Sequence, residues 1–172
     1  MTSTTTPLNW KAIVQELERG IEMIRRNNMH LNCGGTKSMQ LREFFTIGVK
    51  APRQSGKTVW MMRYIAEHPA ALVVMSNDAM RDQFIQHAST GEFGFFGKLE
   101  DYTPMPADAL DRMVITAKEL HQLIKDDEML SARPSRVIID DAYWIFNNVR
   151  IAKYYDWLGK QSDDYIDSIM ID

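Results

Sequence analysis

FFTIGVKAPRQSGKTVWMMRY, residues Phe44 to Tyr64, sets three elements in immediate succession. Phe44, Phe45, Ile47 and Val49 form an apolar run of strand length, and a helix is expected to open at Lys57. Between them, Ala51 to Thr58 (APRQSGKT) fits the pattern GxxxxGK[ST], with Ala51 in place of the first glycine. Gly56 lets the backbone approach a phosphate closely and adds an N–H to an anion nest. Lys57 is a point charge able to reach β and γ phosphates, and the Thr58 hydroxyl suits Mg²⁺. The positive end of the helix dipole falls at the same place. Arg53, Gln54, Ser55, Gly56, Lys57, Thr58 and Val59 are therefore the expected nucleotide-binding stretch, with ATP and Mg²⁺ as cofactors. A surface helix that merely begins with lysine is the plainer alternative; the strand before and the helix after favour the phosphate site.

Composition narrows the class. The chain has 172 residues, enough for one domain with a sizeable core, and its 25% charged and 45% hydrophobic content is ordinary for a globular protein. No apolar run approaches the roughly 18 residues of a membrane helix, and MTSTTTP has no signal-peptide core, so a cytoplasmic protein without membrane contact is expected. Cys33 stands alone and cannot form an internal disulfide; with only His30 nearby it makes no zinc site and is expected to be a small hydrophobe. A net charge of -3 argues against gripping nucleic acid by bulk electrostatics, so any DNA contact must be local or shared with a partner.

The rest of the chain reads around that loop. Residues 1–38 hold an N-terminal helix and connector, 39–150 the P-loop core, and 151–172 a C-terminal helix and acidic tail, all in one globular domain. Thr6 and Pro7 suit a helix start, and Ile13, Val14, Leu17, Ile21 and Ile24 recur at helical spacing up to Arg25, Arg26 and Asn27. Glu67, His68 and Pro69 close the loop helix; Ala71 to Ser76 then reads as a buried parallel strand, with Asn77 capping a helix to about Ala88. Phe93, Phe95 and Phe96 lie in a stretch without periodicity, where they either fold back over the sheet or form a stacking surface for a partner or a single strand. Met113 to Thr116 and Arg136 to Asp141 (RVIIDD) are further strands, separated by a helix from Lys118 to about Met129. The alternation predicts an α/β fold, a mainly parallel sheet with helices on both faces and right-handed crossovers. Tyr143, Trp144, Phe146, Tyr154, Tyr155 and Trp157 are more aromatics than one helix face hides: core explains some, a partner surface the rest.

Asp140 and Asp141 end the last of these strands, where ligands of parallel sheets gather. Asp140 follows Val137, Ile138 and Ile139 and is placed to hold Mg²⁺ directly or through water, with Thr58 as the other protein ligand. Asp141 sits where a general base or water-orienting group is needed, although Asp also caps helices well, and the two roles are compatible. Asp is about 1.5 Å shorter than the Glu common at this place.

RQSGKT at Arg53–Thr58 resembles the Walker A loop of the large terminase subunits of tailed phages, the ATPases that drive DNA packaging. VIIDDAYWI at Val137–Ile145 resembles the DExx box of superfamily-two helicases, with Asp141 replacing Glu, and VITAKEL at Val114–Leu120 is similar to their TPxxL-like element. The resemblance implies a RecA-like P-loop ATPase lobe. It implies Arg53 as a cis sensor or charge stabiliser, with Lys57 and Asp141 as its catalytic companions, and Gln40 as the adenine reader. Only 27 residues follow Ile145, too few for a nuclease domain or a second lobe, so a partner chain supplying a lobe or a trans arginine is expected alongside ATP and DNA. The rival reading is a nucleotide-gated interaction module that binds ATP with little hydrolysis. A small-molecule kinase is a third; no Arg-rich lid segment follows the loop.

Overall fold

The computed structural model describes residues 8–51, 55–93 and 97–172. Five strands, β1 (Thr46–Val49), β2 (Ala71–Met75), β3 (Val114–Thr116), β4 (Arg136–Asp140) and β5 (Asp167–Ile171), form one all-parallel sheet in the order β1-β5-β4-β2-β3. Around it lie α1 (Trp10–Arg26), α2 (Met29–Asn32), α3 (Lys37–Phe44), α4 (Lys57–Glu67), α5 (Asp78–Thr90), α6 (Ala107–Met113), α7 (Ala117–Asp126), α8 (Ala142–Asn148) and α9 (Ile151–Leu158).

The expected α/β class with a parallel sheet is present, and the strand sequences explain it. ALVVM in β2 is buried at every position, and Val137, Ile138 and Ile139 in β4 are fully buried, as strands covered on both faces must be. The path runs β1 to β2 to β3 in one direction, then β4 and β5 in the other. Right-handed crossovers then put α4, α5 and α6 on one face and α7, α8 and α9 on the opposite one. The helix contacts agree: α1 meets α4 and α4 meets α5, whereas α7 and α3 both meet α9. Between β1 and β4 the crossover direction reverses, which opens a crevice at the carboxyl ends of the strands.

Several elements depart from expectation. The segment 161–172 is no acidic tail: Asp167–Ile171 forms the strand between β1 and β4, with Ser168 opposite Thr46 on one side and Val137 on the other. Ile169 and Ile171 are fully buried there. Asp167, acidic yet buried, is tolerated because Arg25 of α1 stands 2.8 Å away; burial still pushes its carboxyl above the usual range, against the pull of Arg25 and Arg136. Arg136 also pairs with Glu18 at 3.1 Å, so α1 is pinned to the amino ends of β4 and β5.

Helix α3 occupies what reads as connector and strand start. Thr36 caps it by accepting from the Met39 N–H at 3.3 Å, and β1 begins only at Thr46. Helix α1 starts at Trp10 with Asn9 as its cap, while Thr6 and Pro7 lie outside the described residues. On α1, Leu17 is exposed and Trp10, Val14 and Ile21 are the buried positions. The aromatic segment is two helices broken at Val149 and Arg150. Tyr154, Tyr155 and Trp157 are core, and Tyr143 and Trp144 are exposed. Phe93 stacks on His87 with ring centroids 4.3 Å apart, whereas Phe95 and Phe96 lie outside the described residues. Cys33 is exposed, not buried, and His30 beside it is buried against Phe45 and Tyr165. No helix is long and apolar enough to cross a membrane among the described residues.

Candidate functional site

The crevice is built from β1, β4 and the turns that follow them. After β1 the chain reaches Gly56 at φ +82°, a left-handed conformation that glycine adopts without strain, and α4 begins at Lys57. No side chain caps α4 among the described residues. Its first N–H groups have no intrahelical acceptor and face the same end as the helix dipole. Ser55, just ahead of Gly56, is buried, and its Oγ has no hydrogen-bond partner among the described residues.

Two carboxylates meet this helix start from the end of β4. Lys57 Nζ is 2.7 Å from Asp140 Oδ1 and 3.0 Å from Asp141 Oδ1. Burial opposes the charge on Lys57, yet the two acids together hold its ammonium above the usual lysine range. Asp140 is almost wholly buried, and burial raises its carboxyl despite Lys57. Lys57 is thus the partner of this buried carboxylate, Nζ standing 2.7 Å from Asp140 Oδ1. A buried carboxylate therefore faces a lysine at the start of a helix; among the described residues no group of three or more His, Cys, Asp or Glu gathers as a ready-made metal site.

Asp141 stands in a left-handed conformation, φ +54°, at the head of α8. Its side chain makes no capping hydrogen bond; it turns instead to Lys57, which donates to it at 3.0 Å. Capping is therefore not what this carboxylate does. Asp172 takes that place: its Oδ1 accepts from the Tyr143 N–H at 2.5 Å, and its backbone joins β1 through Val49 and Ala51. Asp172 escapes notice in the sequence, although IMID before the chain end repeats the apolar-then-acid pattern of VIID in β4.

Among the sequence-predicted residues, Ser55, Gly56, Lys57, Asp140 and Asp141 come together, and Thr58 lies in the first turn of α4. Val59 faces a groove of about 930 Å³ between α1 and α4, lined also by Trp10, Ser55, Trp60 and Tyr102. Arg53 and Gln54 lie outside the described residues. Gln40 is not in the site. It sits on α3 before β1, at the opposite end of the sheet, and is buried. Its amide donates to His30 O at 3.0 Å and accepts from the Tyr165 hydroxyl, so both ends are spent on the fold.

The VITAKEL element has a local structural role. Thr116 and Glu119 form a reciprocal capping box on α7, with Thr116 N donating to Glu119 Oε2 at 2.6 Å. A second groove of about 510 Å³ opens beside it, lined by Asn77, Lys118, His121, Trp144 and Asn148. No protein-family model matches this chain, and no curated protein matches it either.

Proposed function

We propose that the chain is a RecA-like P-loop lobe that binds ATP with Mg²⁺ and hydrolyses it, acting with DNA or a partner chain. The observation that carries this reading is the meeting of Lys57 with Asp140 and Asp141 at the uncapped start of α4. A lysine held by two acids at a helix N-terminus is poised to exchange carboxylate for phosphate. Thr58 and Asp140 would hold the metal, Asp140 exchanging its 2.7 Å pairing with Lys57 for the cation as the ammonium moves to phosphate. When bound, Mg²⁺ would supply neutralisation of phosphate charge.

The chain's own residues do the rest. Gly56 and the first turn of α4 present N–H donors to the phosphates, and Lys57 adds its charge. Asp141, with a side chain 44% exposed, is accessible to water and orients it or takes its proton once Lys57 turns away. Arg53, by resemblance, stabilises charge on the transferred γ-phosphoryl group. A net charge of -3 keeps DNA contact local.

A specific observation favours the second reading, a nucleotide-gated interaction module. Tyr143 and Trp144, 75% and 49% exposed, lie two and three residues after Asp141 in the first turn of α8, which places an exposed aromatic surface beside the carboxylate. Mg²⁺-dependent ATP turnover, measured alone and with single- or double-stranded DNA beside Lys57→Ala, separates the two. The motor-type lobe predicts turnover that DNA raises and the variant lacks. Binding without turnover favours the module, and a Lys57→Ala chain that binds ATP as tightly as the parent overturns both.

A further inference from the structure

The contacts around Ser55 assign a role to the N-terminal helix. Trp10, the first residue of α1, is 3% exposed and donates its indole N–H to the Ser55 carbonyl at 2.8 Å. Its ring stacks on Trp60 of α4, with centroids 5.5 Å apart and planes inclined by 24°. The Trp60 N–H in turn donates to the Gly56 carbonyl at 3.0 Å. Trp10, Ser55, Gly56 and Trp60 thus form a closed ring of contacts about the Ser55–Gly56 peptide.

That peptide has only one way to face. Peptide bonds in the described chain are trans, and in a planar trans unit the C=O and the following N–H point in opposite directions. With the Ser55 carbonyl held toward α1, the Gly56 N–H is directed away from α1. Gly56, with its left-handed φ of +82° and no Cβ, has little else to hold that orientation. The peptide on its amino side is therefore the natural point of control.

We infer that Trp10 is a positioning residue for the phosphate loop: its indole N–H fixes the Ser55–Gly56 peptide so that the Gly56 N–H serves the anion. This rests on the nucleotide reading proposed above and adds to it a part for a helix 45 residues away in sequence. Trp10 touches no phosphate itself. It removes the freedom of the loop to turn a carbonyl, and hence a negative dipole, into the cradle.

The test compares Trp10→Phe, which keeps an aromatic ring against Trp60 but loses the donor, with Trp60→Phe, which keeps the donor and alters the stack. Affinities for MgATP and for magnesium tripolyphosphate are measured by competition with a fluorescent nucleotide, beside thermal unfolding of each variant. Trp10→Phe is expected to weaken both ligands by about three- to tenfold, the worth of one hydrogen bond, while Trp60→Phe stays within about twofold of the parent. Equal loss in both variants overturns the inference, because the stack and not the donor then matters. Unchanged affinity in Trp10→Phe overturns it, and so does a loss for ATP without one for tripolyphosphate, which locates the effect at the base. A parent chain that binds neither ligand removes the nucleotide reading, and this inference falls with it.

Discussion

Asp141→Asn tests the site most directly, because the substitution removes charge and leaves shape. Asn tolerates the left-handed backbone found at 141, φ +54°, so the change is not a backbone perturbation. Lys57 is 3.0 Å from Asp141 and 2.7 Å from Asp140; to reach a phosphate it must give up at least one of them. The Asp141 side chain is 44% exposed, so solvent screens its pairing with Lys57 to the range of surface ion pairs, below about 1 kcal/mol. Removing a negative charge about 6 Å from an arriving phosphate contributes about 1 kcal/mol more at an effective dielectric constant near 40. Together these predict about 1 to 2 kcal/mol, or about 5- to 30-fold tighter binding. Turnover should meanwhile fall by about a hundredfold or more, as the loss of a general base requires. The assay is titration with a non-hydrolysable ATP analogue and Mg²⁺ at fixed salt, paired with a turnover measurement. Binding that is equal or weaker in Asp141→Asn would refute the competition argument, and unchanged turnover would refute the role as base.

Two further outcomes test the fold around the site. Ile169→Ala in β5, a fully buried position between β1 and β4, should lower stability to urea by about 2 to 5 kcal/mol; a loss below about 1 kcal/mol would mean that residues 161–172 stand outside the cooperative sheet. Asp167 has its folded pKa raised, first by burial and against Arg25 and Arg136, so its contribution is fully present below the unfolded carboxyl value, about 3.9, and is lost as pH rises through the folded one. Asp167→Asn should therefore flatten a decline in stability on the alkaline side of about pH 4, read by chemical denaturation across pH; a parent-minus-variant difference that grows with pH there would show the Arg25 pair outweighing burial.

The parts that were legible in the sequence are those whose signals are local. Gly56, Lys57 and Thr58 announce themselves within three positions, and Val137 to Asp141 within five, so the two halves of the crevice are readable although Lys57 and Asp141 stand 84 residues apart. The helix from Asn77 is readable for the same reason, since a cap fixes its start; that of α7 is readable from its apolar spacing, though it begins at Ala117 and ends at Asp126, earlier than the expected Lys118 to Met129, because the Thr116–Glu119 box sets its start. What stays hidden depends on distant partners. Asp167 looks like part of a solvated acidic run until Arg25, 142 residues earlier, supplies its charge. Gln40 looks free until Tyr165 and His30 consume its amide. Trp10 carries no local sign at all that it will meet Ser55.

The hidden strand also sets the dimensions of the readable site. Adjacent strands lie about 4.8 Å apart, so two neighbouring strands carrying the loop and the acid would bring Lys57 and Asp140 together with no room between them. Because β5 is inserted, the axes of β1 and β4 stand about 10 Å apart, and the Lys57 stem crosses that gap to make its 2.7 Å contact. The ammonium is thus held on the β4 side of that gap, between Asp140 and Asp141. A fold that joined β1 directly to β4 would keep the same motifs and lose that space. The placement of Asp167–Ile171, more than either motif alone, is what sets the lysine and the two acids one strand apart at the carboxyl end of the sheet.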